Sequence, residues 1–433
     1  MALVTRNSRI ILFILGMFVA AAVVLNSSSG TDSTAAYIGC RLVLAGQSSH
    51  LYAFDPKSFN VVSDRLWLQI AAARGIAPNV ALSTFVQTPL WPTMLQPLCG
   101  SMSFPAFNRL FEIAVAVCFA AMIWLTGRHW APRFFTPPWV LAMCLLWLRA
   151  DPLRSAILLT NTHAIFLLLT LLAILWARSG RPVPAGASLA FAAAIKITPA
   201  VFVIYWLVTK QRKAALSFVL WSAALILITL ATSGPALTLN YLHSMSRVSH
   251  TLVLSELNQS FAAWWMGHRY PASWSTDFHY LPMPAAMSMV SSILVVLSAI
   301  LGGYCDRSTS SSVFKRPPYG AVLTLIGATI FTPIAWGHYY ILLVIPIILL
   351  LNDCLRKFSL ADAAIVTSIF LLANTRVLMR QIRPGHVPEL YLVRGQFYAG
   401  VFAMIGMIFL YWRSLHLAET TALPSDQITS PRL

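Results

Sequence analysis

Asp32, Lys196 and His338 are ionisable residues at the edges or inside long apolar runs. Asp32 follows the run Ile10 to Leu25 and opens a polar stretch that continues through Tyr37, Gly46 and Tyr52. Lys196 lies in Lys196-Ile197-Thr198-Pro199, within an apolar stretch, and His338 in Trp336-Gly337-His338-Tyr339, at the mouth of another. An ionised carboxylate can take a proton from a hydroxyl or hold a metal. A lysine at membrane depth is costly, so by default it marks function or a buried partner. Histidine can donate to a phosphate oxygen or a leaving group, and Trp336 can stack on a sugar ring. Each residue also has a plain alternative: a helix cap, a snorkelling lysine, an interface histidine.

Two further groups offer complementary chemistry. Asn258-Gln259-Ser260, followed by Trp264, Trp265, His268 and Arg269, combines amides with flat apolar rings, as a sugar-binding face requires. The plain reading is an aromatic belt at the membrane interface. Arg376, Arg380 and Arg383 are spaced i, i+4 and i+7, so a helix places them on one face. They read as a phosphate clamp or as contacts to anionic headgroups. Asp55 and Asp64 rival Asp32, although Asp55-Pro56 reads as a turn.

The elements that carry these residues must be membrane helices. Of the 433 residues, 58% are hydrophobic and only 10% charged, and mean hydropathy is +0.73. A soluble protein carries about 25% charged residues. The apolar runs do not alternate strictly, which favours helices over a barrel and defines an all-α polytopic membrane protein. A net charge of +17 suggests nucleic acid in a soluble chain. Here basic residues orient spans and meet headgroups, and no nucleic-acid-binding motif occurs. The six cysteines form no Cys-x-x-Cys, and no metal-binding pattern is present. Only Cys40 and Cys99 share one loop region, which leaves a single disulfide open.

Arg6 and Arg9 before the first run place the N-terminus in the cytoplasm, and the run reads as a retained anchor. Residues 26–105 and 232–281 are expected to lie outside, the first as helices on the membrane surface. Apolar runs are expected at 107–126, 136–149, 155–176, 214–231, 283–303, 319–335, 338–352, 360–378 and 397–412. Residues 184–208, interrupted by Lys196 and Pro199, read as two half-spans. The tally is roughly twelve spans or half-spans with both termini inside. Residues 1–413 form one domain, and 414–433 a polar, disordered tail. No internal repeat appears, which weighs against a transporter.

No Walker A loop, kinase signature, Gly-x-Ser-x-Gly or His-Glu-x-x-His is present, and no stretch alternates strands with helices as a nucleotide-sugar-binding domain would. A sugar substrate would therefore arrive activated on a lipid. The order of motifs resembles glycosyltransferase family 87, polytopic enzymes of the GT-C fold that include polyprenyl-phosphate-mannose-dependent mannosyltransferases. Carrying the resemblance are Asp32 with Tyr37 and Leu44-Ala45-Gly46 to Leu51-Tyr52, then Phe85 to Pro89-Leu90 ending in Pro97-Leu98. Ala185-Gly186 through Ala193-Ala194-Ile195-Lys196-Ile197-Thr198-Pro199 is the most specific stretch, and Asn258-Gln259-Ser260 and Thr332-Pro333 to His338-Tyr339-Tyr340 complete the order.

The resemblance implies an inverting transfer of a hexose, mannose first, from a polyprenyl-phosphate donor to a lipid or glycan acceptor. It implies Asp32 as general base, Lys196 and His338 near the donor phosphate, and Asn258 and Gln259 in the cavity. Tyr37, Tyr52 and Trp336 are expected to bind sugar or acceptor, and Arg376, Arg380 and Arg383 the phosphate. No cofactor is expected, with a divalent ion left open. The expected place is a bacterial inner membrane, with the active site on the external face. The chain departs from the family pattern in several places. Ser33 replaces the usual aromatic after the aspartate, Gln47-Ser48-Ser49-His50 pads the spacing to Tyr52, and Gln87-Thr88 replaces Tyr-Pro. Asn161-Thr162-His163 stands where Gly-Gln commonly opens the fourth span. Rival readings are an arabinose-type transferase acting on envelope lipids, a flippase of lipid-linked sugar, and a non-catalytic assembly protein.

Overall fold

The computed structural model describes residues 2–27, 30–55, 62, 64–78, 80–271, 274, 278–307, 316–357, 359–382 and 393–421. The chain opens with α1 (Ala2–Asn26), then α2 (Thr31–Leu44), α3 (Arg65–Ala73), α4 (Leu90–Met94) and α5 (Gln96–Ser101). Next come α6 (Phe104–Trp130), α7 (Pro137–Trp147), α8 (Asp151–Leu159), α9 (His163–Arg178) and α10 (Pro182–Ile195). A 3-10 turn at Thr198–Val201 leads into α11 (Phe202–Val208), and α12 (Arg212–Ser249) follows. Strand β1 (Thr251–Leu254), α13 (Phe261–Gly267) and β2 (His279–Pro282) form a small cap. The two strands are antiparallel, with Thr251 opposite Pro282 and Leu254 opposite His279. The chain then runs through α14 (Ala285–Arg307), α15 (Tyr319–Ile330), a 3-10 segment Gly337–Leu343, α16 (Val344–Lys357), α17 (Leu360–Ala373), α18 (Thr375–Ile382) and α19 (Gly395–Thr421).

Six helical stretches are long and apolar enough to cross a membrane, or seven if the bent pair α8–α9 counts as one, among the described residues. Shorter apolar helices of 10–17 residues account for most of the other expected runs. The span Gly337–Lys357 is 78% buried, against 22% for those within Arg212–Ser249 and Ala285–Arg307. The first is therefore the centre of the bundle, and the other two present their leucines and valines outward, as lipid-facing helices do.

Several expected boundaries move. The run 155–176 is not one span: it bends by 115° between α8 and α9. Thr160, in the left-handed conformation (φ 55°, ψ 47°), ends α8 there. The run 214–231 does not stop at a long loop; α12 continues to Ser249, with a kink where Gly234 adopts φ 79° before Pro235. The stretch 184–208 does break, at Lys196 and Ile197, between α10 and the 3-10 turn. In the segment 26–105, α2 is not a surface helix, since Ser33 through Cys40 are buried inside the protein. The disordered tail expected from residue 414 does not start there, because α19 stays helical to Thr421; the remainder of the expected tail, residues 422–433, lies outside the described residues.

Cys40 on α2 and Cys99 on α5 are disulfide-bonded, closing a sequence separation of 59 residues. The bond ties the helix that carries Asp32 to the segment before α6. Tyr37 strengthens the same junction: its ring packs edge-on against Phe104 and Phe107, and its hydroxyl donates to the Met102 carbonyl (3.0 Å).

Candidate active site

Asp32 occupies the first turn of α2 and lines a cavity of about 330 Å³. The helix begins there because Gly30 takes the left-handed conformation (φ 70°). A Cβ at Gly30 would lie 1.9 Å from Asn108 Oδ1, so only glycine fits. Asn108 is a buried hub on α6. Its Oδ1 accepts from Ser33 Oγ (2.7 Å) and Thr160 Oγ1 (2.9 Å), and its Nδ2 donates to Glu112 Oε1 (3.0 Å). The hub fastens the start of α2 to the α8–α9 elbow.

Both carboxylate oxygens of Asp32 are held by neutral donors. Ser83 Oγ donates to Oδ1 (3.0 Å), and Asn161 Nδ2 donates to Oδ2 (2.6 Å). No cation stands within 4.0 Å of this carboxylate among the described residues. Burial raises its pKa above the ordinary aspartate value, while the Asn161 and Ser83 hydrogen bonds and the Lys196 charge pull it back. A carboxylate of raised pKa is a better base than a free one. The rival Asp64 is structural. Its Oδ1 accepts from the backbone N–H groups of Leu66 and Trp67 at the start of α3, and its Oδ2 meets the His50 ring at 3.0 Å.

The same cavity is lined by Trp336, Gly337, His338, Tyr339 and Arg376. His338 is 4% exposed, and its Nε2 has no hydrogen-bond partner. The Arg376 guanidinium sits between two carboxylates, with Nη1 3.6 Å from Asp151 Oδ2 and Nη2 3.6 Å from Glu256 Oε1. Those distances exceed a good hydrogen bond. Its Nε and Nη1 are buried without an acceptor. A buried donor left unmatched is costly, so both groups are ready for an anionic or oxygen-rich ligand.

Lys196 is set one layer back. It lines a separate void of about 20 Å³ with His163, Phe166 and Tyr339, room for about one water. Its ammonium lies 3.3 Å from the centre of the Tyr339 ring, and the His163 ring stacks on Tyr339 at 4.1 Å and 6°. Two groups so close to the ring centre must lie on opposite faces. Tyr339 is thus sandwiched between lysine and histidine, and it also lines the Asp32 cavity.

Other expected contacts fall elsewhere. Asn258 and Gln259 are fully buried and their amides are spent on backbone. Asn258 donates to the Val253 carbonyl (2.9 Å) and accepts from Ala335 N–H (2.9 Å). Gln259 donates to the carbonyls of Glu256 (2.6 Å) and Val393 (2.7 Å). Asn258 also pairs with Trp336 in an antiparallel bridge. These amides hold the segment leading into the 3-10 turn that carries Trp336 and His338, and neither lines the cavity. Tyr37 is occupied at Met102, and Tyr52 donates to the Gln87 carbonyl (2.8 Å). The expected arginine face contributes Arg376. Arg380 lies on α18, but its side chain, like Arg383 as a whole, is outside the described residues. Ser83, Asn161, Asp151 and Phe278 were not singled out as site residues; no local motif marks Ser83, Asp151 or Phe278, and Asn161 was noted only as a departure from the family's Gly-Gln. Among the described residues no three His, Cys, Asp or Glu side chains gather as a metal cluster would.

A helical membrane protein that arrays a half-buried carboxylate, an imidazole and a guanidinium around one cavity has the form of a membrane-embedded enzyme. Residues 85–302, half of the chain, match glycosyltransferase family 87, and the chain belongs to that family: it is a multi-pass membrane glycosyltransferase. Family 87 is one of the GT-C membrane families. The matched part contains Lys196, Asn258 and Gln259, while Asp32, Trp336, His338 and Arg376 lie outside it. No curated protein matches the chain.

Proposed function

We propose that this glycosyltransferase moves a hexose, mannose as the first candidate, from a polyprenyl-phosphate donor to a lipid or glycan acceptor by an inverting single displacement. The observation that carries the reading is Asp32, a half-buried carboxylate held by two neutral donors and facing a cavity with the unpartnered His338 Nε2 and Arg376 donors on its wall. Asp32 takes the proton of the acceptor hydroxyl as its oxygen bonds to the anomeric carbon. The bond from that carbon to the phosphate oxygen breaks, and the lipid phosphate leaves with the electron pair. Arg376 neutralises the phosphate as its charge grows and the His338 imidazole offers it a hydrogen bond, which is where a preorganised site gains most. Lys196 adds its positive field from behind Tyr339. Trp336 and Phe278, at 6.2 Å and 73°, offer apolar faces to a sugar ring at the cavity wall.

The Cys40–Cys99 bond supports an external active site, since disulfides persist in oxidising compartments such as the periplasm. The reading therefore places Asp32 on the external face of a bacterial inner membrane. The test is transfer of radiolabel from polyprenyl-phosphate-mannose in membranes expressing wild type or Asp32→Asn. Label entering a new lipid or glycan with the wild type alone supports the assignment. Equal transfer by both removes Asp32 as base. Labelled donor that only changes leaflet indicates movement of the lipid-linked sugar without transfer.

A further inference from the structure

We infer that Asn161 is the positioning residue of the Asp32 base, delivered by the strained elbow between α8 and α9. The inference rests on the reading of Asp32 as base and adds a residue to it. Asn161 stands at the point where the chain departs from the family's usual Gly-Gln.

The orientation of its amide is decided by its neighbours. Asn161 Oδ1 accepts the His163 backbone N–H at 2.8 Å, at the free N-terminal end of α9. A backbone N–H can only donate, so the carbonyl oxygen must face it. Nδ2 is then obliged to face Asp32, where it lies 2.6 Å from Oδ2. One side chain thus caps a helix and grips a carboxylate 129 residues away in sequence.

The backbone that brings it there is unusual. Thr160 adopts φ 55°, a conformation disfavoured for a β-branched residue. It is held by its own hydroxyl on Asn108, the residue that also grips Ser33 beside Asp32. Strain of this kind persists where surrounding structure enforces it, and it gathers at functional sites. A plain helix cap would need neither the left-handed residue nor the shared hub.

The donor has a chemical consequence. A hydrogen bond to the ionised form favours that form and fixes which lone pairs of the base point into the cavity. The charged and titratable groups around Asp32 are Lys196 at the α10 break, whose charge reaches it, and His338 and Tyr339 on the 3-10 segment and Arg376 on α18, which line the same cavity. All of them persist in the variants below, so a change reports on Asn161.

The test uses the full chain in lipid nanodiscs. Infrared difference spectroscopy follows, through a pH titration, the carboxyl band that disappears in Asp32→Asn. In Asn161→Ala the midpoint of that band should rise by about one pH unit, the effect of losing one hydrogen bond to a charged group. Asn161→Asp keeps an acceptor for the His163 N–H, so the cap and the melting temperature in detergent should hold. It places a second carboxylate against Asp32, so the pair should titrate in two steps with the upper one above the wild-type midpoint. Transfer from labelled polyprenyl-phosphate-mannose at neutral pH should fall roughly 100-fold in that variant. An unmoved midpoint in Asn161→Ala, or full transfer by Asn161→Asp, would reduce Asn161 to a helix cap and overturn the inference. Full transfer by Asp32→Asn would instead overturn the base itself and leave the titration shift standing, so the two failures are distinguishable.

Discussion

Two carboxylate centres of this protein sit about a span apart and are built on opposite principles. At the end of α16 remote from His338, Asp353 and Asp362 both accept from Arg413 Nη1, at 2.9 and 2.6 Å. Arg356 pairs with Asp353 as well, and the Ser359 hydroxyl caps α17 while meeting Arg413 Nη2 at 3.3 Å. Charge is answered by charge there, and the result is a clasp joining α16, α17 and α19. At Asp32 the donors are neutral, and the nearby cations are turned to other partners: Lys196 to a tyrosine face, Arg376 to Asp151 and Glu256 at long range. The first arrangement stabilises the fold. The second leaves basicity and unmatched donors to be used by substrate.

The contrast is sharpest in Asp32→Asn. Its loss of transfer should be about 1,000-fold or more, within the range for removal of a general base. Its stability should nevertheless hold or rise. The folded pKa of Asp32 lies above the unfolded value, so the ionised group weakens the fold at every pH above that window. The penalty fades as pH falls through the folded pKa, and a neutral isostere removes it. Melting temperatures at neutral pH, compared between wild type and variant, check this; a clear drop for Asp32→Asn would contradict it. The same shift places the acid limb of kcat/KM above the ordinary aspartate range, with activity lost as pH falls through it.

Arg376→Ala should cost about 100-fold in kcat/KM by removing the guanidinium from the developing phosphate charge. Arg376→Lys should recover only part of this, because an ammonium cannot present the same planar pair of donors. Equal activity of the lysine variant and wild type would show that only point charge matters.

Asp362→Ala tests the clasp from the other side. It strips Arg413 of one partner and should destabilise by on the order of 3 kcal/mol, read as a lower melting temperature in detergent. The folded fraction should transfer sugar at the wild-type rate within about twofold, since the residue lies far from the cavity. A specific activity that falls with stability intact would mean the two centres are coupled.

The disulfide should show an effect of similar size on stability. Cys99→Ser should lower stability by about 2–4 kcal/mol through the loop that it frees, with reductant reproducing the loss in wild type. Insensitivity to reductant would show that Tyr37 and its aromatic neighbours suffice to hold α2.

The helical membrane architecture was legible because apolar run length and the cost of charge in hydrocarbon are properties of the chain alone. The break at Lys196 was legible for the same reason, with Pro199 nearby. The elbow at Thr160 was not, since no proline or glycine marks it and its conformation is enforced by Asn108 from another helix. The amides show the limit most clearly. Asn258 and Gln259 looked like sugar ligands, yet backbone groups consume them. Asn161 looked like a departure from a family pattern, yet it grips the carboxylate.

By itself the sequence determined a multi-helix membrane protein, the positions of its costly charges and the class of chemistry that such charges suggest. Those follow from composition and spacing, where the solvent does the sorting. Only the tertiary structure decided which polar groups are spent and which are left to act. That choice depends on partners far apart in the chain: Asn161 on Asp32, Arg376 between Asp151 and Glu256, Lys196 on Tyr339. A side chain's hydrogen-bonding capacity is the same wherever it stands. What it can do is set by whether folding has already filled that capacity.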